Sequence, residues 1–168
     1  MKKAITPKAA AAKSNSRKTK ASPTPKLPKE PAIKIKYADK SAGQPDLLDL
    51  FETIKKMMEP YSGKRKLVLH ADTGGQANLV SHQPVEIKGK KRNELWVVSA
   101  LVQKGYVGFY YSPVALHGNL SQYFSEEFIK CLKGKSCFHI RKKDPKIMQD
   151  IKKAIQLGYE GYLAMGWI

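Results

Sequence analysis

Apolar residues first recur at helical spacing where Leu47, Leu48, Phe51, Ile54 and Met58 fall on one face of a helix over residues 45–59. Gly43-Gln44-Pro45-Asp46 makes the entry turn, and Pro45 suits a first helical turn because its missing N–H costs nothing there. Asp46, Asp49 and Glu52 lie toward the N-terminal end, as the helix dipole favours, and Pro60 and Gly63 end the element. The pattern then turns to β. Residues 66–70 predict a strand, Gly74-Gly75 a turn, 76–81 a strand pairing back, and 84–88 a shorter strand ended by a basic turn at 89–93. The most apolar strand spans 94–102, with Leu95, Val97 and Leu101 on one face and Trp96, Val98, Ala100 and Val102 on the other. Apolar residues on both faces predict a central strand covered, at least in part, on both sides. Gln103-Lys104-Gly105 reads as a hairpin tip, and 106–112 as the return strand, stopped by Pro113.

The last third is helical around one strand. Ser125-Glu126-Glu127 starts a helix with Phe128, Ile129 and Leu132 apolar and Gly134 just past its end. Residues 136–140 are β-like. Asp144-Pro145 starts a second helix whose apolar face is Ile147, Met148, Ile151, Ile155 and Leu157, with Gly158 as its stop. Residues 159–168 add a final helical turn or two anchored by Tyr162 and Trp167. Strands clustered between helices, with no internal repeat, predict a single α+β domain. Its sheet is mainly antiparallel, of about five strands, flanked by N- and C-terminal helices.

Composition adds a second kind of segment. The chain has 168 residues, a length for one domain plus appendages, which excludes a doubly wound two-domain enzyme and a (β/α)8 barrel. Its formal charge of +17 is unevenly spread: residues 1–41 carry twelve basic side chains against Glu30 and Asp39, a net of +10. They also hold five of the ten prolines and only one aromatic ring, Tyr37. Such a segment buries too little apolar surface to offset chain entropy, so a disordered Lys/Ala/Pro-rich tail is expected ahead of a folded domain at 42–168. Flexible cations of this kind bind nucleic acid without sequence preference, at about 10⁻⁴–10⁻⁶ M, by releasing condensed counterions. An acidic protein or an anionic membrane surface suits the same charges. The tail contacts expected are Lys13, Arg17, Lys18, Lys20 and Lys26. The turns Lys90-Lys91-Arg92 and Arg141-Lys142-Lys143, with Lys64-Arg65-Lys66, would extend the surface if they converge. No apolar run approaches the roughly 18 residues of a membrane span, and Ala9–Ala12 is too short for a secretory signal, so a cytoplasmic location is expected.

Candidate chemistry is sparse. Cys131 and Cys137 have neither CxxC nor zinc-ribbon spacing and read as reduced thiols. Cys137 and His139 share a strand face and with Cys131 offer three ligands, but packing and surface hydrogen bonding explain them more simply. A nucleophilic pair would need them within hydrogen-bond reach, whereas strand neighbours two apart stand roughly 6–7 Å apart. His70-Ala71-Asp72 offers an acid–base pair at a strand end; His82 and His117 have no partner readable from spacing. Tyr106, Gly108 and Tyr110 share a face, where the tyrosines beside Lys104 could stack unpaired bases or pack across strands. Thr73-Gly74-Gly75-Gln76 is no P-loop, and no catalytic residue is assigned.

Residues 104–114 (KGYVGFYYSPV) and 133–140 (KGKSCFHI), with the closing GYE…GWI over 158–168, resemble the YdhG-like family of domains of unknown function. The resemblance covers roughly residues 45–168 and implies a compact helix–sheet domain with an antiparallel sheet. That family includes a member regarded as a frataxin-like intracellular iron chaperone, which implies iron as a ligand and Asp46, Asp49 and Glu52 as the acidic ridge to hold it. Carboxylates suit hard iron, although the helix dipole alone accounts for acids in these turns, and Lys55 and Lys56 oppose a cation. The expected function is therefore a non-enzymatic binding or accessory protein whose basic arm contacts anionic partners such as nucleic acid. The alternatives are an iron-binding chaperone and a small-molecule enzyme or sensor, the last requiring a concave pocket with convergent polar groups.

Overall fold

A computed structural model describes residues 38–168. The tail cations Lys13, Arg17, Lys18, Lys20 and Lys26 lie outside the described residues. Helix α1 (Pro45–Met58) forms where the periodicity places it and buries Leu47, Leu50, Phe51, Ile54 and Met58. Its N-terminal Gln44 does not cap the helix; the side chain clamps the hairpin tip instead. Nε2 donates to the Gln103 carbonyl at 3.1 Å, and Oε1 accepts from the Gly105 N–H at 2.8 Å. Residues counted with the tail already touch this tip, since Lys40 Nζ donates to Gln103 Oε1 at 2.7 Å.

Single 3₁₀ turns at Glu59–Tyr61 and Lys64–Lys66 lead into β1 (Leu67–Thr73) and β2 (Gln76–Ser81). Next come β3 (Val85–Ile87), β4 (Lys90–Arg92), β5 (Leu95–Gln103) and β6 (Tyr106–Tyr111), then 3₁₀ turns at Ser112–Leu116 and Leu120–Gln122. The chain closes with α2 (Glu126–Lys130), β7 (Leu132–Lys133), β8 (Cys137–Ile140) and α3 (Pro145–Ala164). The main sheet has six strands in the order β1-β2-β5-β6-β8-β7, every neighbour antiparallel. The α+β reading therefore holds. Among the described residues no helix is long and apolar enough to cross a membrane.

Four local expectations are corrected. Residues 89–93 are not all turn, because Lys88 and Gly89 alone make it, with φ of 52° and 73°. Two left-handed residues are what a two-residue hairpin loop requires, so Lys90–Arg92 pairs with β3 in a separate small sheet. Its side chains are all exposed, which left no hydrophobic signal. The helix at 126 stops at Lys130 because Leu132 and Lys133 pair with Phe138 and Cys137; Gly134 turns that hairpin rather than ending the helix.

In β5 the strict alternation fails at a bulge. Leu79 faces Val98 but Val80 faces Trp96, so Val97 is an extra residue. The bulge lets Leu95, Val97, Val98, Ala100 and Val102 all join one core with α1, α2 and α3, and leaves Trp96 outside that cluster. Last, α3 runs twenty residues, straight through Gly158. A Cβ there would stand 3.0 Å from both Pro113 Cγ and Tyr111 Cε2, so this glycine serves helix–strand approach, not termination. The actual stop is Gly166, at φ 68°. Its N–H donates to the Leu163 carbonyl and that of Trp167 to the Tyr162 carbonyl, a Schellman pattern sealed by the Tyr162–Trp167 ring contact at 5.3 Å.

Candidate functional site

The helices cover one face of the sheet: Ala100, Val102, Val107, Phe109, Phe138 and Ile140 belong to the same buried cluster as the helical core residues. Cross-strand partners share a face, so the register defines the other one. His70, Asn78, Ser99, Tyr110, Cys137 and Lys133 follow one another across it, strand by strand. A parallel row carries Gln76, Leu101, Gly108 and His139. Gly108 is what lets aromatic rings lie down here. A Cβ would meet Tyr110 Cε2 at 3.1 Å and Tyr106 Cε2 at 3.6 Å. The Tyr106 ring stacks on His139 with centroids 3.8 Å apart and planes 12° apart. Burial and a hydrogen bond with Cys137 push the Tyr110 phenol up to about 12, so it stays protonated.

Cations rim this aromatic surface. Burial, then the positive fields of Arg141 and Lys133, hold His139 below the ordinary histidine range. Lys104, exposed at the β5–β6 tip, precedes Tyr106 by two residues. The basic turns do not all converge. The register puts Lys64–Lys66 and the β3–β4 hairpin at one end of the sheet, where Lys66 Nζ reaches Gln83 Oε1 at 3.0 Å. Arg141, Lys142 and Lys143 follow β8 at the opposite end, with Lys104. Lys143 is committed to an ion pair with Asp49 on α1.

That pairing bears on the acidic ridge. Asp49 holds Lys143, Glu52 holds Lys55 at 2.6 Å, and Asp46 lies exposed in the first turn. Among the described residues no three His, Cys, Asp or Glu side chains are grouped to hold a metal ion. Cys131 donates to the Glu127 carbonyl, and burial raises both thiols above their usual range, where they are poor nucleophiles and poor ligands.

The histidines find partners that spacing did not reveal. His70 Nε2 and His82 Nε2 lie 2.8 Å apart, and His82 Nδ1 faces Glu94 Oε1 at 3.7 Å. Which of the two rings donates depends on their tautomers, and the approach of His82 Nδ1 to the Glu94 carboxylate is too long for a hydrogen bond. Tyr111 donates its hydroxyl to His117 Nε2 at 2.6 Å; burial raises the phenol and lowers the imidazole, so the pair stays neutral.

Sequence reasoning also missed a cleft of about 540 Å³ between the β3–β4 hairpin, the 3₁₀ turn after β6 and the end of α3. Trp96, Tyr162 and Trp167 line it together with Lys88, Arg92 and Glu94. Three separated segments build it, so no local pattern announces it. Comparison with protein-family models, curated proteins and solved structures gives no match to this chain.

Proposed function

We propose that this protein is a non-enzymatic binding protein that contacts single-stranded nucleic acid through the sheet face opposite the three described helices, aided by the basic N-terminal segment. One observation carries the reading: Tyr106 stacked on His139 and Tyr110 laid over Gly108, between the cations Lys133, Arg141 and Lys104. Every base has a π-face, so stacking on such rings is tolerant of sequence, and cations on the rim meet the backbone phosphates. The twelve basic side chains of residues 1–41 favour the same partner. The iron ridge adds nothing here, because two of its three carboxylates, Asp49 and Glu52, are each paired with lysine.

Anisotropy of a labelled oligothymidylate tests it. Tyr106→Ala with His139→Ala should weaken binding by about 1–3 kcal/mol for each base that loses its stack. Unchanged affinity in that double variant, with its fold intact by circular dichroism, would sink the proposal.

A further inference from the structure

The cleft is separate from the aromatic sheet face. Its apolar wall is built by backbone devices rather than by chance exposure. The Schellman turn at Gly166 swings Trp167 onto Tyr162, at 5.3 Å and 60°, and the Tyr162 hydroxyl donates to the Trp96 carbonyl at 3.1 Å. The rings of Trp96, Tyr162 and Trp167 therefore line one cavity with Pro113 and Leu116. A flat apolar body fits against such a wall.

The opposite rim is charged. Lys88 and Arg92 line the same space, and among the described residues the side chain of neither is held in an ion pair. Lys88 also occupies a left-handed turn position, φ 52°, where asparagine or glycine is the ordinary choice. Arg92 lies close enough to act on the Tyr162 phenol, whose rise to about 12 through burial it partly opposes. Glu94, the carboxylate on the rim, faces His82 on its other side. Two cations against one carboxylate favour a ligand with a single negative charge over a dianion.

We infer that the cleft binds a small planar aromatic monocarboxylate, its ring against Trp96, Tyr162 and Trp167 and its carboxylate between Lys88 and Arg92. The chain has two tryptophans and both line the cleft, so their indole N–H resonances report occupancy directly. The full chain, labelled with ¹⁵N, is titrated with 2-naphthoate, with neutral 2-naphthamide and with adenosine monophosphate as the comparison probes. Both indole signals should move with 2-naphthoate, and the amide should bind about tenfold or more weakly, the usual loss when a charge-assisted contact is removed. Lys88→Asn keeps the turn geometry, and with Arg92→Gln it should abolish the preference for the acid while leaving weak amide binding. Indole signals that stay still at millimolar 2-naphthoate overturn the inference. So does equal binding of acid and amide, or tighter binding of the nucleotide, which would assign the cleft to the nucleic-acid surface.

Discussion

At the scale of single residues, two glycines of one helix make opposite predictions. Alanine has a helix advantage over glycine of about 1 kcal/mol. At Gly158 the new Cβ meets Tyr111 and Pro113 at 3.0 Å, and both are buried and fixed. Overpacking costs about 1–3 kcal/mol and wins, so Gly158→Ala should lower the urea midpoint. At Gly161 the obstruction is the tip of Leu116, a half-buried flexible side chain, so Gly161→Ala should raise the midpoint or leave it level. His117 adds a pH signature. Its folded-state value is lowered, so the unfolded chain binds the proton more readily, and stability should fall as pH drops below the ordinary histidine range. Urea midpoints at neutral and mildly acidic pH measure this, and His117→Gln should reduce the dependence by removing the titrating ring. None of these contacts is legible from spacing. Gly158 looked like a stop because a glycine after an apolar helical stretch usually is one, and only Pro113 and Tyr111, over forty residues earlier, give it another purpose.

At the scale of elements, local chemistry predicts starts better than ends. Asp144 caps α3 as its side chain and Pro145 imply, accepting from the N–H groups of Lys146 and Ile147 at 3.0 and 3.2 Å. Ser125 caps α2 through Phe128 N–H at 3.3 Å, but the cap is itself held from α3. The buried Asp150 carboxylate accepts from Ser125 N–H at 3.0 Å and from its hydroxyl at 2.5 Å. Asp150→Ala strands these donors, and a loss of about 1–3 kcal/mol in unfolding free energy is expected. Calorimetry of that variant beside Ser125→Ala measures it, and non-additive losses would show that the two act as one unit. The strands were legible where they bury side chains. β4 was not, since Lys90–Arg92 is wholly exposed, and neither was the Val97 bulge, which turns a two-faced strand into one that feeds a single core.

At the scale of the molecule, the sheet has one face filled by three helices and another carrying rings, a glycine gap and cations. The unequal charge of the chain points to an anionic partner as a class, and the register gathers rings and cations on the sheet face proposed to meet it. Arg141 is the test residue for that surface. If it meets one phosphate, Arg141→Gln should reduce the slope of log affinity against log salt by about 0.7, the value for a single strand. In the free protein the same substitution should raise the His139 titration midpoint, because one of the fields depressing it is gone. The most direct measurement of the central claim is a backbone and side-chain resonance titration of the full chain with a short oligothymidylate. Shifts are expected at Tyr106, Gly108, Tyr110 and His139, with the His139 midpoint moving upward as phosphates neutralise Arg141 and Lys133. Shifts confined to residues 1–41, with the sheet face unmoved, would contradict it.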